Sequence, residues 1–316
     1  MNVVLLESLA VSHELLNTLF APLKAQGHTL TCYERTTDED TLIREAQDAD
    51  VLMIANMPLS GRVIRACKHL QFIDVAFTGV DHVDLDAARE MGVAVSNAAG
   101  YSEQSVAELV VGQMIHLLRN VPAVENRCRN GGTKDGLVGN ELGSSVVGIV
   151  GVGAIGSRVA TLCRAFGSPV IGYDPHPSKR GRALLLTYFS LEKLLQLSDI
   201  VTLHCPLTPE TRGLIGREQL ALMKPSAYLI NMARGPVVDA QAVADALNQG
   251  KIAGAAIDVF EKEPPLNADE PLLHAKNCLL TPHIAFASHQ SMERRARIVF
   301  DSLQQWMNGH QVNKIL

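Results

Sequence analysis

The stretch Val146-Val-Gly-Ile-Val-Gly151-Val-Gly153-Ala-Ile-Gly156 constrains this chain more than any other part of it. An apolar run of strand character enters GxGxxG directly, and helical spacing follows, which predicts a buried strand, a tight turn and a helix. In that turn Gly151 makes the bend, Gly153 leaves room for a pyrophosphate, and Gly156 lets the helix pack close to the strand. The helix N-terminus then faces the anion, with Ala154 and Ile155 as further candidate contacts. Asp174 closes the next apolar run, Val170 to Tyr173, and lies 18 residues beyond Gly156. A carboxylate there accepts hydrogen bonds from ribose hydroxyls and repels a 2′-phosphate, so the expected cofactor is NAD, with NADP less favoured. Lys179, Arg180 and Arg182 follow closely and pull the other way. The bland alternative is a glycine-rich turn in a doubly wound sheet that binds nothing.

The rest of the chain supplies the context such a turn needs. Its 316 residues suggest roughly two domains. With 47% hydrophobic and 19% charged residues, it is neither a disordered chain nor a heptad-driven coiled coil. The net charge of -5 and scattered basic residues argue against nucleic acid as a partner. Six dispersed cysteines form no CxxC pair or zinc-ligand spacing, and 11 histidines show no HExxH, so no metal is expected. The start MNVVLLESLA has no basic n-region, and no apolar run nears the roughly 18 residues of a membrane span. A cytoplasmic protein is the expectation.

Short apolar runs alternate with amphipathic stretches through the first hundred residues, predicting about five strands and four helices. A long helix is predicted from Ser102 to Arg119, followed by a glycine-rich connector from Asn130 to Gly139. A second strand and helix series begins at Val146, and a final helix runs from Gln290 to Trp306. The expected fold class is α/β, with two doubly wound parallel-sheet domains.

Three later segments each place polar residues just after a predicted strand: Asn231-Met-Ala-Arg234-Gly, Asp258-Val-Phe-Glu-Lys-Glu263-Pro264 and Leu280-Thr-Pro-His283. The carboxyl ends of strands form the ligand crevice of an open α/β sheet, so these residues are expected to converge near a bound dinucleotide. Together they suit oxidation of a hydroxy acid. Histidine titrates near neutrality and can take the hydroxyl proton, a carboxylate fixes its tautomer, and a guanidinium grips a carboxylate in fork geometry. From spacing alone each has a plainer reading: Arg234 as a solvated loop cation, Glu263 as an acid beside a proline, His283 as a satisfied, partly buried histidine.

Taken in order, Gly151-Val-Gly-Ala-Ile-Gly156, His204-Cys-Pro206-Leu-Thr208-Pro-Glu-Thr211, Asn231-Met-Ala-Arg234-Gly, Asp258-Val-Phe-Glu-Lys-Glu263-Pro and Thr281-Pro-His283 resemble the D-isomer-specific 2-hydroxy-acid dehydrogenase family over nearly the whole chain. The resemblance implies Arg234 as the substrate-carboxylate arginine, Glu263 as partner of the histidine and His283 as acid/base. It further implies cofactor contacts from Met232, Ala233 and Asp258, the last to the nicotinamide carboxamide, and from Pro206 and Thr211 on the adenosine side. Thr78 and Gly79, in Ala76-Phe-Thr78-Gly79-Val-Asp81, match the family loop whose backbone N–H groups meet the substrate carboxylate. A flavodoxin-like substrate domain, residues 1–96 plus 288–316, and a Rossmann NAD-binding domain, residues 97–287, are the implied architecture, in a homodimer.

Departures narrow the substrate. The connector lacks a tryptophan common in the family, and Phe286 puts a bulky ring where a small-residue pattern is usual. Ala55-Asn56-Met57-Pro58 lacks the arginine that phosphoglycerate dehydrogenases carry nearby, and no regulatory domain follows Leu316, so a D-3-phosphoglycerate dehydrogenase-like enzyme is the alternative rather than the expectation. Glu263 argues against the formate branch, which has glutamine there. Hydroxypyruvate, glyoxylate and pyruvate remain, as in hydroxypyruvate and glyoxylate reductases or D-lactate dehydrogenases. The rival of another class is an NAD(H)-sensing, corepressor-like module of the same fold.

Overall fold

The computed structural model describes residues 1–316, which form two compact units: Met1–Ser102 with Ala287–Leu316, and Glu103–Phe286. The first contains β1 (Asn2–Leu5), α1 (His13–Ala25), β2 (Thr29–Cys32), α2 (Glu39–Ala46), β3 (Val51–Ile54), α3 (Gly61–Ala66), β4 (Phe72–Val75), α4 (Leu85–Glu90) and β5 (Ala94–Asn97). The second contains α5 (Glu103–Leu118), α6 (Val121–Arg129), β6 (Val147–Val150), α7 (Ala154–Ala165), β7 (Val170–Tyr173), α8 (Lys179–Ala183), β8 (Thr187–Tyr188), α9 (Leu191–Leu197), β9 (Ile200–Leu203), α10 (Arg217–Leu222), β10 (Tyr228–Asn231), α11 (Ala240–Asn248), β11 (Gly254–Ile257) and β12 (Cys278–Leu280). The last helix, α12 (His289–Met307), returns to the first unit.

In the first unit five parallel strands lie in the order β2-β1-β3-β4-β5, the flavodoxin-like arrangement. β3 and β4 are buried along their whole length, as continuous apolar runs in a parallel sheet covered on both faces must be. Ser12, Asp38 and Asp84 start α1, α2 and α4 by accepting the N–H three residues on. Trp306 of α12 stacks on Phe72 with ring centroids 4.6 Å apart, which anchors the returning helix on β4. The edge at β5 is covered by the C-terminal tail, where Ile315 N donates to Val95 O at 2.8 Å.

In the second unit seven parallel strands lie in the order β12-β11-β10-β9-β6-β7-β8, the Rossmann order with one strand added. Alternation along each strand splits its core into two faces. Val201, Leu203, Leu229, Ala255 and Ile257 pack against α9, α10 and α11. Ile200, Ile230 and Ala256 face the other way, with Val106, Val110 and Met114 of α5 and Val159 and Cys163 of α7. The fold class expected from sequence is the one observed. α6 is an addition, as are the short α8 and β8. No side chain of α6 is buried, so it carries no apolar periodicity that a sequence reading could detect. No helix is long and apolar enough to cross a membrane.

Candidate active site

The strand order puts the sequence motifs on one edge, because in parallel strands every carboxyl end points the same way. β6 delivers the glycine turn. Gly151 has φ +88°, and a Cβ there would lie 2.6 Å from the backbone nitrogen of Cys205, so both conformation and space require glycine. A Cβ on Gly156 would lie 2.1 Å from Gly151 O, which is the close helix-to-turn packing the motif predicts. Gly153 differs, because a Cβ there meets nothing within 4 Å. The protein's own packing does not need that glycine, and the open volume is the cradle a pyrophosphate would fill. Gly153 is also the N-cap of α7 and offers no side-chain acceptor, so the first N–H groups of α7 are left for an anion. The residues present fit a dinucleotide.

Asp174, at the end of β7, accepts from Val152 N at 2.8 Å through Oδ2 and from His176 N at 2.9 Å through Oδ1. The carboxylate is thereby pinned against the glycine turn while each oxygen keeps lone-pair capacity for ribose hydroxyls. Of the three cations that follow, Arg180 is tied to Glu103 at 2.9 Å and Arg182 to the carbonyl of Pro177. After β9, Thr211 closes a turn: its hydroxyl donates to Pro206 O at 2.6 Å and accepts from Thr208 N at 2.8 Å. That uses its only proton inside the protein. Burial pushes the Cys205 thiol up to about 11, so it lines the turn as a neutral group.

β10, β11 and β12 are adjacent, and they carry Arg234, Glu263 and His283 on consecutive carboxyl ends. Asn231, fully buried, shapes the first of these ends, its Nδ2 donating to Arg234 O at 2.9 Å and its Oδ1 accepting from Ala233 N at 3.1 Å. The Arg234 guanidinium reaches Ala233 O at 2.8 Å. Met232 and Ala233 are buried beside it. Gly235 then lets this loop touch the next, since a Cβ there would sit 2.0 Å from the carbonyl carbon of Phe260.

The second and third ends meet directly. His283 Nδ1 lies 2.9 Å from Glu263 Oε2. The imidazole side chain is 14% exposed and the carboxylate 43%, so the pair is open to solvent on the glutamate side. His283 has φ +55°, a left-handed conformation that costs a β-substituted residue about 1–3 kcal/mol and needs bracing. Asp258 supplies it. Its carbonyl accepts from His283 N at 2.7 Å, and its carboxylate accepts from Thr281 Oγ1 at 2.5 Å, Ile284 N at 2.9 Å and Ala285 N at 2.8 Å. Asp258 is fully buried, and burial raises its pKa against the opposing pull of these hydrogen bonds. The family resemblance implies a cofactor contact from Asp258, and in the structure its three hydrogen bonds hold the histidine loop. Phe286 meets the imidazole edge-to-face at 5.3 Å, which fixes the ring from its other side.

In the first unit, the loop after β4 carries Thr78 and Gly79. Asn97 Nδ2 donates to Thr78 O at 2.6 Å, and the backbone N–H groups of Thr78 and Gly79 donate to no acceptor of the chain. Sequence reasoning passed over Asn231, Thr281 and His204. The first two sit inside recognised motifs without a chemical role of their own, and could be found only once their neighbours' hydrogen bonds are known. No group of three or more His, Cys, Asp or Glu is placed to hold a metal ion.

A Rossmann sheet with a glycine cradle, an acidic residue on the following strand and an Arg, Glu and His set on its far strands defines an NAD-binding oxidoreductase site. Residues 111–285 match the D-isomer specific 2-hydroxyacid dehydrogenase, NAD binding domain. The chain is 33% identical to the hydroxypyruvate reductase of Blautia hydrogenotrophica, over 93% of both chains. It is 37% identical to the D-3-phosphoglycerate dehydrogenase of Methanocaldococcus jannaschii over 88% of this chain, but spans only 53% of that relative's length. A structure of the D-lactate dehydrogenase of Aquifex aeolicus, complexed with NAD and lactic acid, superposes with a TM-score of 0.84 at 29% identity, covering 98% of this chain and 96% of that one. The chain belongs to the D-isomer-specific 2-hydroxyacid dehydrogenase family.

Proposed function

We propose that the protein is an NAD-dependent oxidoreductase that interconverts a small D-2-hydroxy acid and its 2-keto acid. The observation that carries this reading is the His283–Glu263 pair at 2.9 Å, one strand away from the loop that bears Arg234. The bound nicotinamide supplies or accepts the hydride at substrate C2. Everything else falls to side chains of this chain. Glu263 accepts from Nδ1–H and so leaves Nε2 as the working nitrogen, which gives a proton to the carbonyl oxygen on reduction and takes it from the hydroxyl on oxidation. Arg234 holds the substrate carboxylate and stabilises negative charge growing on the carbonyl oxygen. Thr78 and Gly79, in the first unit, are further candidate substrate-binding residues, through backbone N–H groups that no acceptor of the chain engages.

Hydroxypyruvate, glyoxylate and pyruvate are the proposed substrate class. The near full-length match to a hydroxypyruvate reductase supports it. NAD is preferred over NADP because Asp174 stands at the end of β7 against the glycine turn, where its carboxylate would accept from ribose hydroxyls and repel a 2′-phosphate, and Arg180 is occupied by Glu103. A cytoplasmic homodimer is the proposed state. Six free cysteines suit a reducing compartment, and α6, with no buried side chain, is a candidate for burial against a second copy.

The test follows oxidation of NADH, and separately of NADPH, by purified protein against these three acids, oxaloacetate, phenylpyruvate and branched-chain keto acids. An NADH-linked rate with one or more of the small acids is expected. Tight NADH binding with no turnover across the panel would overturn the enzyme reading in favour of a sensing module.

A further inference from the structure

The final helix puts a cation where its own pattern calls for an apolar residue. Met292, Ala296, Val299 and Leu303 recur at helical spacing on the buried face of α12, and Arg295 stands among them with only 3% of its surface exposed. A methionine or leucine would fill that place without the cost of stripping water from a guanidinium. Packing alone therefore does not account for Arg295. Its contacts reach two loops at the carboxyl edge of the first unit's sheet, after β1 and after β5, which the strand order keeps apart by β3 and β4. Arg295 Nη2 donates to Leu9 O at 2.9 Å in the first of these loops. In the second, its guanidinium carbon lies 5.8 Å from the ring centre of Tyr101, which is fully buried, so the cation meets the aromatic face away from water, where such a contact is strongest. Arg294, one residue earlier, donates from Nε to Tyr101 O at 3.1 Å, and α12 thereby holds Tyr101 by ring and backbone together.

Tyr101 passes this hold to the loop after β4. Its ring centre is 6.1 Å from that of Phe77, and Phe77 immediately precedes Thr78 and Gly79. Phe77 is buried and also meets His82 edge-to-face at 6.3 Å, so the loop is anchored by aromatic contacts on the residue before its candidate N–H groups. The backbone follows the same route. Ala98 N donates to Phe77 O at 3.0 Å and Asn97 Nδ2 to Thr78 O at 2.6 Å, which binds the loop after β4 to the segment that leads to Tyr101.

We infer that Arg295 is a positioning residue for substrate binding: acting through Tyr101 and Phe77, it sets the loop whose Thr78 and Gly79 N–H groups receive the substrate carboxylate. The inference rests on the dehydrogenase reading and on those two residues binding substrate. It gives Arg295 a share in affinity for the keto acid and none in proton or hydride transfer. Nor does Arg295 take part in holding NADH, whose candidate contacts all lie in the second unit.

The experiment measures KM and kcat for hydroxypyruvate, glyoxylate and pyruvate, with NADH affinity by fluorescence, in the wild type, Arg295→Met, Arg295→Lys, Tyr101→Leu and the double variant of Arg295→Met with Tyr101→Leu. Arg295→Met keeps an unbranched apolar stem but removes the charge and the donors. It is expected to raise KM by about 10-fold, the worth of one hydrogen bond to a charged group, with kcat nearly level and NADH affinity unchanged. Arg295→Lys can still donate to Leu9 O and place a cation over the ring, so it is expected to recover most of the lost affinity. The double variant is expected to be no worse than the worse single one, because both substitutions break the same chain of contacts. An unchanged KM in Arg295→Met, a fall in kcat or in NADH affinity as large as the rise in KM, no recovery in Arg295→Lys, or additive effects in the double variant overturns the assignment. If Arg295→Met does not fold, Tyr101→Leu carries the test alone, and an unchanged KM there overturns it. A wild-type protein that reduces none of the three acids overturns instead the dehydrogenase reading beneath it.

Discussion

Glu7 follows β1 in the first unit and Asp258 follows β11 in the second, and both are buried carboxylates that accept backbone N–H groups from the loop on a neighbouring strand. Glu7 takes two donors and shapes the loop of Asn56. Asp258 takes three, counting the Thr281 hydroxyl, and shapes the loop of His283. Asp74 in β4 shows what a buried carboxylate is without such partners. Neither of its oxygens has a partner within hydrogen-bond distance, the Ser302 hydroxyl on α12 lends only weak support, and burial pushes its pKa well above the usual carboxylate range. Backbone donors offset the cost of burying a carboxylate, and the loops after β3 and β12 are where this chain places such donors.

Asp258→Ala breaks the comparison most severely. It strands three donors and releases a histidine held at φ +55°, so kcat is expected to fall about 100-fold, the usual cost of misplacing a reacting group by about 1 Å, with a clear loss of thermal stability. Enzyme assay and calorimetry on one preparation check both. Glu7→Leu strands two N–H groups, at about 1–3 kcal/mol each. Here denaturant unfolding is expected to show the loss, with kcat changed far less than in Asp258→Ala. A kcat loss as deep as that of Asp258→Ala would mean that the two carboxylates are not doing separate jobs.

Two smaller effects sharpen the contrast through pH. His204, at the end of β9, has its Nε2 2.9 Å from Thr202 Oγ1 and its enclosed Nδ1 without a partner, and burial lowers its pKa to about 3. The unfolded chain takes up that proton near pH 6.5, so stability is expected to fall as pH drops from about 6.5 towards 3, by at most about 1.4 kcal/mol per pH unit. Melting curves of His204→Gln should be flatter over that window. Asp74 has the opposite sign. Its folded pKa is raised, so its contribution is present at low pH and is lost as pH climbs above the unfolded value near 4. Asp74→Asn, which stays neutral, is expected to raise Tm at pH 8 by a few degrees, a gain that disappears near pH 4.

Legibility in the sequence followed the physical source of each feature. Val51–Ile54, Phe72–Val75 and Val170–Tyr173 read as strands because continuous apolar runs bounded by turns have few other folded uses. α6 did not, since its residues bury nothing. The glycine turn was legible in the packing duties of Gly151 and Gly156, because each is local. His283 and Glu263 were legible only through the ordered motifs: 20 residues separate them, and spacing alone left both with plainer readings. Leu9, Tyr101 and Arg295 were invisible as a group. The separation of 286 residues between Leu9 and Arg295 closes only through the return of α12 to the first unit, which no local pattern encodes.

The most direct test of the central claim is single-turnover oxidation of bound NADH by hydroxypyruvate in the wild type and in His283→Gln, with NADH affinity measured by fluorescence in both. The account predicts that affinity is kept while the rate falls by about two to four orders of magnitude, the worth of a positioned acid/base. A rate near that of the wild type would remove His283, and with it the Glu263 pairing, from the chemistry.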